Sequence, residues 1–265
     1  MKRVILYGIV LLLCGCDLIE YHPYDVRLHG ETGINAKNIA RIEEICEGKD
    51  TLRFVLMGDS QRWYDETEDF VKEINKRNDI DFVIHGGDMS DFGLTKEFLW
   101  QRDIMNGLNV PYVVLIGNHD CLGTGAETYK AVFGPTNFSF IAGNVKFVCL
   151  NTNALEYDYS EPVPNFTFME QEITSRLDEF EKTVISMHAR PYTDVFNDNV
   201  AKVFQHYIRQ YPGIQVCTAA HTHHYQDDVI FDDGIHYVTS DCMDYRTYLV
   251  FTITPEKYEY ELVKY

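Results

Sequence analysis

Basic residues are scarce in this chain. It carries 23 Lys and Arg against 41 Asp and Glu, a formal net charge of −18 at pH 7. Without Lys2 and Arg3, 21 basic residues remain and the balance is −20. A surface this acidic repels phosphate backbones, which argues against a non-specific nucleic-acid binder. A disulfide framework is also missing. Beyond Cys14 and Cys16 the chain has Cys46, Cys121, Cys149, Cys217 and Cys242, an odd set without regular spacing. That set matches neither a stapled small domain nor a zinc ribbon. The apolar stretch at the start, Val4 to Leu13, is too short for a stable transmembrane helix. Internal repeats, low-complexity segments and interior linkers are absent, so the reading is one domain. With 265 residues, 45% hydrophobic and 14% aromatic, the chain can fill a large core.

The start reads as a targeting segment. Met1-Lys2-Arg3 is positive, an apolar stretch follows, and Leu13-Cys14-Gly15-Cys16 resembles the bacterial lipobox. That resemblance implies a signal peptide over 1–15, cleavage before Cys16, and lipid on its sulfur and amine. Asp17 and Glu20 are similar to the acidic surface-export signals of Bacteroidetes lipoproteins. The expectation is a protein anchored at the cell envelope, with the outer membrane favoured. Residues 16–34 form a tether, and the domain runs over 35–265.

Within the domain, Asn35 is expected to cap a helix over 36–47. The apolar runs 52–57, 80–84 and 112–116 read as strands, separated by helices over 66–76 and 95–105 with apolar residues at helical spacing. Strand, helix, strand, helix, strand is the pattern of parallel βαβ units. A helix follows near 127–132, then strands at 138–141 and 145–151, a helix over 168–181 and a strand at 184–187. A helix over 200–210 and a strand at 214–219 come next, and strands at 229–231, 235–239, 248–254 and 258–263 close the chain as a meander. The first three strands end in Gly58-Asp59, Gly86-Gly87-Asp88 and Gly117-Asn118. Loops at the carboxyl ends of parallel strands gather along one sheet edge, where such sheets bind ligands.

The turn Gly117-Asn118-His119-Asp120 offers a neutral oxygen ligand, a proton donor and a carboxylate able to orient that donor. The other strand ends add Asp59 and Gln61, Asp88, His188, and His221 with His223. Together these motifs resemble those of the calcineurin-like metallophosphoesterases: Asp-x-His, Gly-Asp-x-x-Asp, Gly-Asn-His-Asp, a lone His and Gly-His-x-His. Phe133-Gly134-Pro135 and the stretch from Phe138 to Leu150 add to the likeness, which covers about Phe54 to His223.

The resemblance implies an α/β fold, a four-layer α/β/β/α sandwich with two central mixed sheets. It implies two divalent ions, Mn first and Fe, Zn or Mg as alternatives, clamping a small-molecule phosphoester. Asp88 would bridge them; Asp59, Gln61 and His223 would complete one site, and Asn118, His188 and His221 the other. A metal-bridging hydroxide would attack phosphorus while His119, oriented by Asp120, protonates the leaving oxygen. Asn118, His119 and Arg190 would touch substrate, although Arg190 suits a surface ion pair equally well.

Two departures stand out. Gln61 occupies a position that is usually His, and a neutral amide oxygen favours Mn or Mg over Zn. Within the family, Gln there is similar to the ADP-ribose and CDP-alcohol diphosphatase branch. Ala220 replaces the Gly of the last motif. Asp91 reads as a loop brace, His85 as a buried supporting residue, His224 as facing away from the ligands, and 241–246 as a loop lining the cleft. Two other readings remain: an envelope lipoprotein that keeps the scaffold for binding alone, and a nuclease, which the charge disfavours.

Overall fold

The computed structural model describes residues 27–154 and 162–265. The targeting segment, Cys16 and most of the tether lie outside the described residues. Eleven strands make two mixed sheets among the described residues. In the first, β1 (Leu52–Met57), β2 (Phe82–His85) and β3 (Tyr112–Val114) run parallel. Strands β10 (Thr247–Ile253) and β11 (Tyr258–Lys264) extend that sheet antiparallel beyond β1. The second sheet contains β4 (Phe138–Ala142), β5 (Val145–Leu150), β6 (Lys182–Met187), β7 (Ile214–Ala219), β8 (Gln226–Asp228) and β9 (Tyr237–Thr239). Its order is β4-β5-β6-β7-β9-β8, with β5, β6, β7 and β9 parallel.

Alternation along the strands builds the layers. Phe54 and Leu56 of β1 point between the sheets, joining Phe82, Ile84, Val113, Leu115, Phe147 and Val184. Val55 and Met57 point the other way, against Phe70, Val71, Phe98 and Tyr129. These belong to helices α2 (Tyr64–Ile74), α3 (Thr95–Met105) and α4 (Gly125–Val132). On the far side, Val148, Ile185, Met187 and Cys217 meet Met169 of α5 (Phe166–Thr174) and Phe204 and Ile208 of α6 (Ala201–Ile208). The result is the expected α/β/β/α sandwich. The inter-sheet layer is aromatic: Phe54 stacks on Phe82 and Phe251, with centroids 5.5 and 5.0 Å away, and meets Phe147 edge-on at 5.1 Å.

Four sequence expectations change. Helix α1 (Ile34–Cys46) starts at Gly33 rather than at an Asn35 cap. The Asn35 amide instead donates to the Val114 carbonyl and accepts from its N–H, both at 2.9 Å, covering the open edge of β3. The stretch before α1 lies on the body rather than standing off as tether: Leu28 packs on the core, and buried Arg102 donates to the His29 and Glu31 carbonyls. Helix α5 stops at Thr174, because the buried Lys146 ammonium takes the carbonyls of Glu172 and Ser175, and Arg176 turns left-handed at φ 57°. The terminal strands form no single meander; β8 and β9 join one sheet, and β10 and β11 cross to the other.

Phe54→Ala removes the ring shared by three aromatic contacts and should cost about 3–5 kcal/mol. Urea denaturation checks this; a loss under about 1 kcal/mol would mean that the inter-sheet layer closes over the cavity.

Candidate metal centre

The expected site residues meet on one rim, where strands of both sheets end. Asp59 and Gln61 follow β1, Asp88 follows β2 and Asn118 follows β3, while His188 follows β6 and His221 and His223 follow β7. The backbone bends hard to bring them in. Among the described residues, eight non-glycine residues have positive φ, and five of them are Asp59, Gln61, Asp88, His221 and His223. Backbone strain of this kind persists where the surroundings impose it, and it collects at functional sites. Small residues allow the approach. A Cβ on Gly117 would collide with the Asp88 carboxylate, and one on Gly58 or Gly86 would lie 2.9 or 2.8 Å from the Ala220 methyl. Ala220 therefore fills a gap left by two glycines of the other sheet.

Among the described residues two clusters of ligand atoms form, one of Asp88, His188 and His221 and one of Asp59, Asp88 and His223. Asp88 belongs to both. The His188 Nδ1 pairs with the Gly86 carbonyl at 2.9 Å, so that nitrogen carries the proton. Its Nε2 is left facing Asn118 Oδ1 at 3.0 Å and Asp88 Oδ1 at 3.4 Å. His221 Nε2 bonds Asp194 at 2.6 Å, and the His221 N–H donates to Asp59 Oδ2 at 3.0 Å. Gln61 Nε2 donates to Asp88 Oδ2 at 3.1 Å; half a turn of the amide would present its oxygen there instead.

The donor set fits a cation. Asp59 is fully buried, and its Oδ1 accepts no hydrogen bond; the closest positive partner is His223 Nε2 at 3.5 Å. A buried carboxylate oxygen without a donor is costly unless positive charge faces it. Protons are drawn in accordingly. Burial opposes charge on His188, but Asp88 and then Asp59 outweigh it and raise the ring to about 9. Contact with Asp59, then Cys242, raises His223 to about 10. Burial and the neighbouring His188 lower His221. Burial works against the Asp88 carboxylate, yet His188 and then His119 hold it below the ordinary range.

Two expected roles change. Asp120 does not touch the His119 ring. Its carboxylate accepts from the N–H groups of Gly117, Asp88 and Ser90 at 2.8–2.9 Å and from the Ser90 hydroxyl, bolting the β2 and β3 loops together. Burial and nearby Asp88 push that carboxyl up to about 6. His119 is held instead by Asp91: its Nδ1 bonds the Asp91 carbonyl at 2.7 Å and lies 3.9 Å from the Asp91 carboxylate. The second departure is Arg190, which is bound to Gln226 and Asp228, both at 2.8 Å, rather than open to substrate.

Asp194 carries no sequence signal beyond standing a few residues after His188. His85 is a buried support, pairing with Ser60 Oγ at 2.8 Å and accepting from the Gly87 N–H at 3.2 Å. His224 is exposed, beside Tyr245. In the 241–246 loop, the Met243 N–H reaches the Asp59 carbonyl, so the loop backs the first motif.

Comparison with known proteins agrees with this geometry. The family model for calcineurin-like phosphoesterases matches residues 52–225. The chain belongs to that family. A Danio rerio dimetal phosphatase superposes with a TM-score of 0.62 at 12% identity, over 80% of this chain and 97% of that one. GAP50, the anchor in the inner membrane complex of Plasmodium, gives 0.61 at 12% identity over 82% and 85%. A Thermus thermophilus structure gives 0.55 at 11% identity over 80% and 98%. An uncharacterized Bacillus subtilis protein, YvnB, is 30% identical over 115 residues, 38% of this chain and 9% of that protein.

Gly117→Ala drives a methyl into Asp88 and should reduce bound metal by at least about tenfold, read by elemental analysis after Mn loading. Full occupancy would show that the two loops can part. A second outcome concerns acid. Burial pushes His85 from 6.5 down to about 3. Below pH 6.5 the unfolded ring takes a proton that the folded one refuses, so its contribution is complete above 6.5 and lost as pH falls towards 3. Metal-free wild type should therefore lose its stability margin over His85→Asn between about pH 6.5 and 4.5 in urea titrations. A margin independent of pH would assign the acid sensitivity elsewhere.

Proposed function

We propose that this phosphoesterase uses two divalent cations, Mn first among Mn, Fe, Zn and Mg, to hydrolyse a phosphodiester or phosphoanhydride at the cell envelope. The observation that carries the reading is the pair of ligand clusters sharing Asp88. Asp59, Gln61, Asp88 and His223 would hold one cation; Asp88, Asn118, His188 and His221 the other. Bound there, the cations would supply positive charge for the phosphoryl oxygens and lower the pKa of a water.

The chain's own groups do the rest. The carbonyls of Gly86 and Asp91 fix the rings of His188 and His119 through Nδ1. The His119 Nε2 is then the nitrogen that hands a proton to the leaving oxygen. Asp120 keeps Asp88 and Asn118 in register by holding their loops. The motif at Cys16 supports a lipid anchor in the envelope membrane, with the outer membrane favoured. A binding lipoprotein is the competing reading, favoured by one contact: the Gln61 amide already satisfies Asp88.

The full-length protein, stripped of metal and reloaded with Mn, should be assayed on bis-nitrophenyl phosphate, nitrophenyl phosphate and ADP-ribose. Mn-dependent turnover that falls at least about 100-fold in Asn118→Ala is the expected result. Bound Mn with no turnover on any of the three would favour the binding reading. His119→Ala should keep its Mn and lose about 10²–10⁴ in kcat on poor leaving groups, and less where nitrophenol departs. Loss of Mn in that variant would contradict the role of His119 as the acid.

A further inference from the structure

Arg62 stands out on this acidic surface. Its neighbour Gln61 is buried in the metal centre, while its own side chain is 62% exposed. The guanidinium lies over the Trp63 ring, 5.9 Å from the centroid, and Trp63 meets His223 edge-on at the same distance. One nitrogen, Nη2, donates to Asp91 Oδ1 at 2.6 Å. That carboxylate oxygen also stands 3.9 Å from His119 Nδ1. Arg62 and the proposed acid thus share one anchor, which holds the cation beside the residue proposed to protonate the leaving group. The other arginines near the rim are committed: Arg190 to Gln226 and Asp228, and Arg246 to Asp69 and Glu66.

A guanidinium carries five donors in a planar fork. Asp91 engages one nitrogen, and the platform of Trp63 keeps the fork from collapsing into solvent. We propose that Arg62 is a specificity residue that binds a second anionic group, a phosphate or carboxylate, on the leaving-group side of the scissile phosphorus. This rests on the phosphoesterase reading above and narrows its substrate to one whose leaving group is itself negatively charged. An anionic leaving group would otherwise be repelled by the many carboxylates of this chain, so a fixed cation here selects for it.

The test separates binding from turnover. Mn-loaded full-length wild type, Arg62→Gln and Arg62→Lys are titrated calorimetrically with propylphosphonate and with 3-phosphonopropionate. These probes differ by one carboxylate, and neither can be hydrolysed. Wild type should bind the carboxylate-bearing probe about 10-fold more tightly, the effect of one charge-assisted hydrogen bond. That ratio should fall to about one in Arg62→Gln and recover in part in Arg62→Lys, with Mn content unchanged. A ratio near one in wild type, or an unchanged ratio in Arg62→Gln, overturns the proposal. Loss of Mn from Arg62→Gln also overturns it, placing the residue in support of the metal site. Because no reaction is needed, a wild type that prefers 3-phosphonopropionate but hydrolyses nothing would reject the phosphoesterase reading while keeping the anion site.

Discussion

Two carboxylates out of reach of water, Asp59 and Asp88, set the terms for the rest of this molecule. A buried negative charge has to meet positive charge or donors, and a pair of them needs both. Loops from both sheets converge on these two groups. The backbone N–H groups of His119 and His221 donate to Asp88 and Asp59, and imidazoles from the second sheet face them. The left-handed bends at Asp59, Asp88 and three residues around them, Gln61, His221 and His223, are what this convergence costs the backbone.

The four layers are the means of holding such a site open. A sheet that presents one row of phenylalanines to its partner and another row of aliphatics to its helices is fixed on both faces. Its strand ends are then rigid platforms from which short loops project. Function resides in those loops, and the sandwich determines only where they start.

The fold could be read from the sequence because its signals are local and repeated. Apolar runs of strand length alternate with helical spacing, and each of the first three runs ends in Gly-Asp or Gly-Asn. The pairings within the site were harder to read, since they depend on which way a carboxylate turns after the chain has bent. Asp120 sits next to His119 in sequence, yet the 3₁₀ turn from His119 to Cys121 sends the two side chains apart. Asp91, on another loop, reaches the imidazole instead. Asn35 reads as a helix cap by residue type, but the edge of β3, which pairs with no further strand among the described residues, is the stronger claimant on its amide. Asp194 and the anchoring of Arg190 depend on long-range packing that no local pattern encodes.

The Ala220 methyl occupies the space that Gly58 and Gly86 leave, across the boundary between the two sheets. Side-chain size at these three positions is thus a joint property of two sheets, and no single loop owns it. Grafting any one of these loops from a relative whose methyl sits on the opposite partner would carry the clash along with it. In this chain the turns that carry the candidate ligands behave as a matched set, interchangeable only together.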